Sequence, residues 1–321
     1  MEPLIQTIDL KKYFKTPAGF LHAVDGVNLT INKGQTLGVV GESGCGKSTL
    51  GRLLLRLIEP TGGEILFEGE NILGYKNQKL KELRRNMQII FQDPYSSLNP
   101  RMTVSEIIAE PLIVNGTIKK MDEINKKVFR LMKKVGLAER LVNAYPHELD
   151  GGRRQRIGVA RALALDPKFI VCDEPVSALD VSIQAQIINL LMDLQDESGL
   201  TFMFITHDLS VVKHISDEIA VMYLGQCVEK APTKMLFQNP LHPYTKALLL
   251  AIPRANLNSR GKGLEVLKGE VTSPINMKPG CRFSARCPQA KADCMGQDLP
   301  LVEISKDHFV ACKYVTASSL E

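Results

Sequence analysis

The sequence predicts an α/β fold built around a phosphate-binding loop, and three apolar stretches indicate it. Leu37 to Val40 has the pattern of a buried strand, and it leads directly into the glycine-rich stretch Gly41 to Thr49. Two further apolar runs, Phe169 to Asp173 and Thr201 to Ile205, also end at polar side chains. Ligands of open α/β sheets bind outside the carboxyl ends of the strands. We therefore expect one ligand site along that edge of the sheet.

The glycine-rich stretch has P-loop spacing: glycine, four residues, glycine, lysine, then serine or threonine. Its glycines allow positive φ, so that amide N–H groups can point at phosphate oxygens. Lys47 would reach the β- and γ-phosphates, and the Ser48 hydroxyl would ligate Mg²⁺. The alternative is a turn without a ligand, which the following helix, Leu50 to Ile58, disfavours. The predicted phosphate loop consists of Gly41, Glu42, Ser43, Gly44, Cys45, Gly46, Lys47, Ser48 and Thr49.

Length and composition fit one large α/β domain and a smaller part. A chain of 321 residues can bury a sizeable core. The formal net charge is only +5, and the basic residues are scattered and interrupted by acids, so we expect no nucleic-acid partner. Met1 to Leu4 lacks a basic region before an apolar one, and no apolar run approaches the length of a membrane helix. We therefore expect neither a signal peptide nor a membrane span.

Two partly alternating stretches precede the loop strand and predict an antiparallel layer. They are Leu4 to Lys12 and Val24 to Ile31, with a turn at Thr16 to Gly19 between them. Tyr13 closes the first stretch. Its ring can stack on a nucleotide base or belong to the core, and the residues alone leave both open.

The region after the loop helix alternates short elements with turns. Met87 to Phe91 predicts a buried strand that ends on Gln92. The polar and proline-rich Asp93 to Pro100 is expected to continue neither a helix nor a strand, so Gln92 marks a hinge. The other predicted elements are a strand at Glu64 to Phe67, a turn at Glu68 to Asn71 and a helix at Leu80 to Arg85.

Thr103 to Leu165 has the apolar spacing of helices. Asp150, Gly151 and Gly152 open a basic helix that runs through Arg161. Two glycines before a helix form a second candidate anion site, although the pattern alone is weak.

Asp173 and Glu174 stand where a buried strand ends. Asp173 is placed to hold Mg²⁺, and Glu174 is placed to polarise a water molecule. The alternative is an ordinary boundary between a strand and a turn. His207 follows the next strand, after a helix at Val181 to Glu197, and it can contact a γ-phosphate or be structural.

Taken together, these residues resemble the ATP-binding subunit of an ABC transporter over most of residues 1 to 250. The resemblance implies a P-loop NTPase fold with an N-terminal antiparallel β layer and a RecA-like core. It implies an ABC ATPase domain at 1–255, a helical subdomain at about 93–165 and a C-terminal extension at 256–321. ATP and Mg²⁺ would be its cofactors.

The same resemblance implies a role for each candidate site residue. Tyr13 would stack on adenine, Glu174 would be the catalytic glutamate, and His207 would be the switch histidine. Gln92 would sense Mg²⁺ and the membrane partner. The residues implied as magnesium contacts are Ser48, Gln92 and Asp173, and those implied as the signature motif are Asp150, Gly151 and Gly152.

The carboxyl part resembles subunits of dipeptide and oligopeptide importers in Asn239 to Leu249 and in the cysteine tail. Nickel importers are close relatives of these and are the alternative. The resemblance implies two transmembrane permease subunits, a sister ATPase subunit and, indirectly, an extracellular solute-binding protein. The chain would then be a peripheral protein on the cytoplasmic face of the inner membrane.

The signature motif departs from the usual serine-glycine-glycine-glutamine, because Asp150 replaces the serine and Arg153 the glutamine. In the family, this motif caps the γ-phosphate held by a second subunit. A carboxylate facing that phosphate would cost several kcal/mol, roughly, in a dry interface, and Arg153 can partly offset it. We expect a competent ATP site and a weakened signature, an asymmetry that favours a heterodimer.

Two other classes of protein are the alternatives to this assignment. A regulatory protein that binds ATP with weak turnover remains compatible with Asp150. A soluble ABC ATPase of DNA repair or translation would carry two cassettes or a long coiled coil, and the sequence has neither pattern.

Four of the seven cysteines lie in the tail, with gaps of five, six and seventeen residues. The spacing lacks the close pair of structural zinc sites and indicates only a four-thiolate metal site, with free cysteines as the alternative. Tails of this kind imply a [4Fe–4S] cluster by resemblance, and zinc is the alternative metal. The predicted ligands are Cys281, Cys287, Cys294 and Cys312.

Overall fold

The computed structural model describes residues 2–251 and 273–316. Its strands are β1 (Pro3–Thr16), β2 (Gly19–Asn32), β3 (Thr36–Val40), β4 (Gly62–Phe67), β5 (Glu70–Asn71), β6 (Met87–Ile90), β7 (Phe169–Asp173), β8 (Thr201–Ile205), β9 (Glu218–Tyr223), β10 (Gln226–Pro232), β11 (Val302–Ser305) and β12 (His308–Val310). Its helices are α1 (Lys47–Leu54), α2 (Asn77–Asn86), α3 (Pro94–Ser97), α4 (Val104–Asn115), α5 (Met121–Lys134), α6 (Gly151–Leu163), α7 (Val181–Ser198), α8 (Leu209–Ile215), α9 (Thr233–Gln238) and α10 (Pro243–Leu250).

The chain divides into two compact units. The first unit contains Asn32–Gln35 and Gly74–Ile205, and the second contains Glu2–Ile31, Thr36–Leu73 and Thr206–Glu321. The predicted boundary between residues 255 and 256 lies outside the described residues, so the domain limits remain a prediction.

The N-terminal antiparallel layer of the second unit is confirmed. Its strand order is β2-β1-β4-β5, and Ile5 of β1 pairs with Phe67 of β4. Both long strands extend further than predicted. One reason lies in the chain's carboxyl part: Leu21 forms a bridge with Ile275, and the amide of Asn276 donates to the carbonyl of Phe20. The start of β2 thus gains partners that are distant in sequence.

A second sheet of this unit has the order β11-β12-β10-β9-β3. Strand β3 pairs parallel to β9, whereas the other neighbours are antiparallel. A buried polar cluster joins β10 to β12: Glu229 lies 2.7 Å from Nε2 of His308, and both side chains are fully buried. Glu229 also accepts the amides of Leu241 and His242. The last two strands are therefore part of this sheet.

The first unit contains the parallel strands β6, β7 and β8. Phe169 of β7 pairs with Met87 on one side and with Thr201 on the other. Every residue of β7 and β8 is buried, which explains why these segments are almost continuously apolar. Their observed bounds agree with the predicted strands. Helices α4 and α5 both pack against α6.

Three predictions of local structure need correction. Asp93 to Pro100 contains α3, because Asp93 accepts the amide of Tyr95 and Pro94 occupies the first helical position. Glu70–Asn71 is a short strand paired with β4 rather than part of a turn. The long helical region is interrupted, because Gly116 ends α4 with φ 61°.

Within residues 2–251 and 273–316, no helix has both the length and the apolar composition that a membrane crossing needs.

Candidate functional site

The phosphate loop of the second unit encloses the ammonium group of Lys47. Nζ donates hydrogen bonds to the carbonyl oxygens of Gly41 (2.8 Å) and Glu42 (3.0 Å), and it lies 3.9 Å from Sγ of Cys45. Only 5% of Lys47 is exposed. The lysine predicted to contact phosphates therefore lies inside the loop, with its charge satisfied by main-chain oxygens.

The amino end of α1 has the geometry of an anion site. Gly46 precedes the helix with φ 106°, and within the described residues no side chain caps this end and no acid lies in its first turn. The first amide groups of a helix have no partner within it and attract anions. These features fit a bound phosphate.

Two glycines of the loop leave no room for a side chain. A Cβ at Gly46 would lie 2.0 Å from the carbonyl oxygen of Ala23, and one at Gly41 would lie 2.2 Å from that of Met222. Both residues also have positive φ, 106° and 151°. The loop can take this path only with glycine at both positions.

The first unit brings Gln92 and Glu174 together. Nε2 of Gln92 donates to Oε2 of Glu174 at 3.2 Å, although 82 residues separate them. Asp173, immediately before, is the buried last residue of β7. The backbone amide of Glu174 donates to the carbonyl of Ile205, so the residue is tied to the end of β8 as well.

Glu174 adopts a strained backbone conformation, with φ 47°. Such a conformation costs a non-glycine residue of order 1–3 kcal/mol and persists only where its surroundings impose it. The Ser177 amide and hydroxyl both donate to the carbonyl of Glu174. Strain of this kind at a half-buried carboxylate beside an amide donor is typical of a reactive site.

Asp150 caps the amino end of α6. Its Oδ1 accepts the amide of Arg153 at 2.8 Å, and its Oδ2 lies 3.1 Å from the Arg153 guanidinium. Both side chains are about half exposed, 57% and 49%. An exposed ion pair contributes about 0–1 kcal/mol, so Arg153 offsets only part of the carboxylate's field.

The two signature glycines allow close packing within the first unit. A Cβ at Gly152 would lie 2.7 Å from Ile183 of α7, and one at Gly151 would lie 3.1 Å from Leu179. A side chain at either position would therefore force Ile183 or Leu179 to shift.

The Tyr13 ring stacks on His22, with 4.2 Å between ring centroids and 28° between planes. Its hydroxyl donates to the carboxylate of Asp25. Burial and this hydrogen bond raise the pKa of Tyr13. Although burial alone would raise the pKa of Asp25, contacts with His22, Tyr13 and Arg282 lower it. One ring face of Tyr13 is thus covered by His22, and adenine stacking remains a prediction.

His207 is an exposed residue of the second unit, between the end of β8 and α8. The next residue, Asp208, accepts the amide of Ser210 at 2.7 Å and caps α8. The Asp208 amide donates to the hydroxyl of Thr206 at 3.0 Å. These contacts fix the backbone on both sides of His207, and its contact with a γ-phosphate remains a prediction.

The four tail cysteines line one cavity of about 20 Å³. Burial, followed by the charges of the other thiols, raises the pKa of Cys281 and of Cys287. Cys281 is also joined to Cys294, whose carbonyl accepts its amide at 2.8 Å. Even so, the described residues contain no group of three or more histidine, cysteine or acidic side chains arranged to hold a metal ion. The thiols are gathered, but the predicted cluster is not established.

Sequence reasoning missed the groups that surround the candidate residues. His22 and Asp25 contact Tyr13, while Arg286 and Tyr244 contact Glu42. Arg286 and Tyr244 lie 244 and 202 residues from Glu42, so no motif spacing relates them to it.

Two family models match parts of the chain. Residues 24–177 match the ABC transporter family, and residues 228–294 match the oligopeptide/dipeptide transporter C-terminal region. The oligopeptide transport ATP-binding protein AppF of Bacillus subtilis (strain 168) is 51% identical, with 97% of each chain covered. The dipeptide transport ATP-binding protein DppF of Escherichia coli (strain K12) is 50% identical, covering 97% of this chain and 94% of that protein.

Among solved structures, a dimeric post-hydrolysis state of the ATP-binding cassette MJ0796 bound to ADP and Pi is similar, with a TM-score of 0.66 and 30% identity. The similarity covers 72% of this chain and 99% of that one. CbiO1 from Clostridium perfringens, part of the ABC transporter complex CbiONQ, has a TM-score of 0.67 and 29% identity, over 74% and 92% of the two chains.

Gly46→Ala is expected to lower the free energy of unfolding of the nucleotide-free protein by about 3 kcal/mol. Roughly half of this loss comes from positive φ and the rest from the clash with Ala23. Gly44→Ala is the matched control, because its φ is 77° but its Cβ would meet open space. It should lose only about 1–2 kcal/mol. Urea denaturation measures both, and equal losses would contradict the predicted clash.

Proposed function

Because this chain belongs to the family of ATP-binding proteins of oligopeptide and dipeptide ABC transporters, we propose that it hydrolyses ATP to power peptide import. The observation that carries the proposal is identity of about half over nearly the whole chain, including the carboxyl region. The solved cassettes support the ATPase part but cover less of the chain, 72% in one case.

The second unit supplies the groups that would bind the nucleotide. Lys47 can transfer its hydrogen bonds from loop carbonyls to phosphate oxygens. The uncapped amides of α1 would face the same phosphates. Tyr13 would stack on the base. Ser48, Gln92 and Asp173 would hold Mg²⁺, which when bound would neutralise part of the negative charge of the phosphates.

Glu174 would activate the attacking water. The hydrogen bond from Gln92 orients its carboxylate without removing its charge, so that it can accept a proton. His207 would contact the γ-phosphate. The product is ADP and phosphate, the pair of ligands named for the related cassette.

The signature residues would act on ATP bound by a sister subunit. Asp150, Gly151 and Gly152 would cap that nucleotide in a head-to-tail pair, an arrangement consistent with the dimeric cassette among the structural relatives. Because Asp150 brings negative charge to this surface, we infer a heterodimer in which the two ATP sites differ.

Transport requires further partners. We infer two permease subunits that receive the motion of the Gln92 region, and a solute-binding protein that delivers peptide outside. The chain would work at the cytoplasmic face of the inner membrane as a peripheral subunit. Nickel as cargo is the alternative within the same family, and weak turnover in a regulatory role is the alternative that Asp150 supports.

Glu174→Gln is expected to lower ATP hydrolysis and peptide uptake by about 10²–10⁴-fold while ATP binding persists, because an amide cannot accept the proton of water. The assembled transporter in proteoliposomes, with labelled dipeptide outside and ATP inside, measures both. Glu64→Gln, an exposed glutamate of β4, is the control. Wild-type hydrolysis and uptake in the Glu174 variant would contradict the assigned role. Hydrolysis coupled to nickel rather than peptide would reassign the cargo.

Asp150→Ser is expected to raise the ATPase rate of the assembled transporter, because it removes a carboxylate that faces the partner's phosphate. Serine is also a good helix cap, so the stability of α6 should change little. Asp150→Ser with Arg153→Gln recreates the usual signature and should be at least as fast. Unchanged rates in both variants would show that Asp150 does not weaken the site.

We propose that the tail thiols carry a [4Fe–4S] cluster, with zinc as the alternative. Four cysteines around one cavity provide the donor set that such clusters use, although the cavity has room for only about one water molecule. A cluster would therefore require the thiols to separate.

Protein purified without oxygen should be brown and contain iron, and Cys312→Ala should lose most of that iron. Cys227→Ala is the matched control, because Cys227 is a buried cysteine outside the tail. Iron analysis and visible absorption measure the outcome. Colourless wild-type protein with stoichiometric zinc would replace the cluster by a zinc site.

A further inference from the structure

The side chain of Glu42 links the phosphate loop to the C-terminal extension. Its carboxylate accepts two hydrogen bonds from Arg286, from Nη1 to Oε2 (2.8 Å) and from Nη2 to Oε1 (3.1 Å). Parallel bonds of this kind are among the strong polar contacts in proteins. The Arg286 side chain is 6% exposed and that of Glu42 is 26% exposed. This ion pair is therefore largely withdrawn from water, unlike the exposed pair at Asp150.

Two more contacts hold the backbone of Glu42. Its amide donates to the hydroxyl of Tyr244 at 2.9 Å, and its carbonyl accepts Nζ of Lys47 at 3.0 Å. Tyr244 is fully buried, and its ring packs against Phe283. Burial lowers the pKa of His242 to about 4, and its neutral ring accepts the amide of Tyr244. Glu42 is thus held through its side chain, its amide and its carbonyl.

Arg286 is itself held by its surroundings. Its amide donates to the carbonyl of Phe283 at 2.9 Å, and its Nη1 lies 3.4 Å from the hydroxyl of Tyr223. The hydrogen bonds to Glu42 raise the pKa of Arg286, so the guanidinium stays charged. Cys287, the next residue in the chain, lines the cavity of the tail cysteines. The extension therefore presents a fixed cation to the phosphate loop.

We propose that Arg286 is a positioning residue for ATP. It holds Glu42, and with it the phosphate loop, in the shape that receives phosphates. The inference rests on the proposed function, because ATP is the ligand. When Lys47 turns to a phosphate, it gives up loop carbonyls, and Glu42 is then held by Arg286 and Tyr244. Arg286 also neutralises a carboxylate that would otherwise repel the phosphates of ATP.

Arg286→Gln in the full chain is expected to weaken MgATP binding roughly tenfold, because it removes two hydrogen bonds to a charged group. Lys313→Gln is the matched control: it removes one positive charge from the same extension, where Lys313 pairs with Asp293 on the surface at 2.7 Å. Its affinity should stay within about twofold of wild type. Isothermal titration with MgATP measures all three proteins.

A second substitution separates positioning from a purely structural role. In the Arg286→Gln protein, Glu42 is an unpaired carboxylate in the loop. Adding Glu42→Gln removes its repulsion of the phosphates but does not restore the hold on the loop, so it should recover only part of the affinity. If Arg286 only stabilised the fold, the second change would weaken binding further. Arg286→Lys keeps the charge without the paired geometry and should bind with intermediate affinity. Arg286→Lys is also the variant to measure if Arg286→Gln does not fold.

Hydrogen exchange of the nucleotide-free proteins tests the loop directly. Amides of residues 41–46 should exchange several-fold faster in Arg286→Gln than in wild type or Lys313→Gln. Wild-type affinity and wild-type exchange in a folded Arg286→Gln protein would overturn the inference while the proposed function stands. Wild-type protein that does not bind MgATP would overturn the proposed function, and exchange would still show whether Arg286 holds the loop.

Discussion

A buried ammonium group is the constraint on which the phosphate-binding side of the protein depends. Lys47 is almost fully enclosed, and a buried cation without acceptors would cost several kcal/mol, roughly. The carbonyls of Gly41 and Glu42 must therefore point inward, and the chain must turn sharply on both sides of them. That turn requires glycine at 41 and 46, where main-chain oxygens leave no room for Cβ. The spacing of the motif is thus a consequence of where its lysine lies.

The candidate catalytic carboxylate, that of Glu174, is held in place in a different way. Glu174 has a positive φ, and its backbone is held by hydrogen bonds to Ile205 and from Ser177. Gln92 then orients the side chain from another strand end. A carboxylate constrained in both backbone and side chain has few alternative orientations, which is the condition that general-base catalysis requires. The first unit thus orients the Glu174 carboxylate, whereas the second unit supplies the Lys47 cation for the phosphates.

Features encoded locally could be predicted from the sequence. The bounds of β7 and β8 follow from short apolar runs, and the phosphate loop follows from its spacing. The prediction that Asp93 to Pro100 contains no helix was wrong, because an acid followed by proline also starts helices. The contacts of Glu42 with Arg286 and Tyr244 are different. They join residues 244 and 202 positions apart, and no periodicity or motif in one sequence relates such pairs.

These distant contacts follow one pattern. Asp25, Glu42 and Glu229 are acids of the predicted ATPase domain, and each meets a basic side chain of the extension: Arg282, Arg286 and His308. Each basic side chain is at most 6% exposed, so loss of the extension would remove one buried partner from each acid, and removing one member of a buried pair is strongly destabilising. Asp25 contacts Tyr13, and Glu42 belongs to the phosphate loop. The extension is therefore built into the nucleotide side of the ATPase. Cys287 is the chain neighbour of Arg286, and the Arg286 ion pair with Glu42 gives a change at the tail cysteines a short path to the phosphate loop.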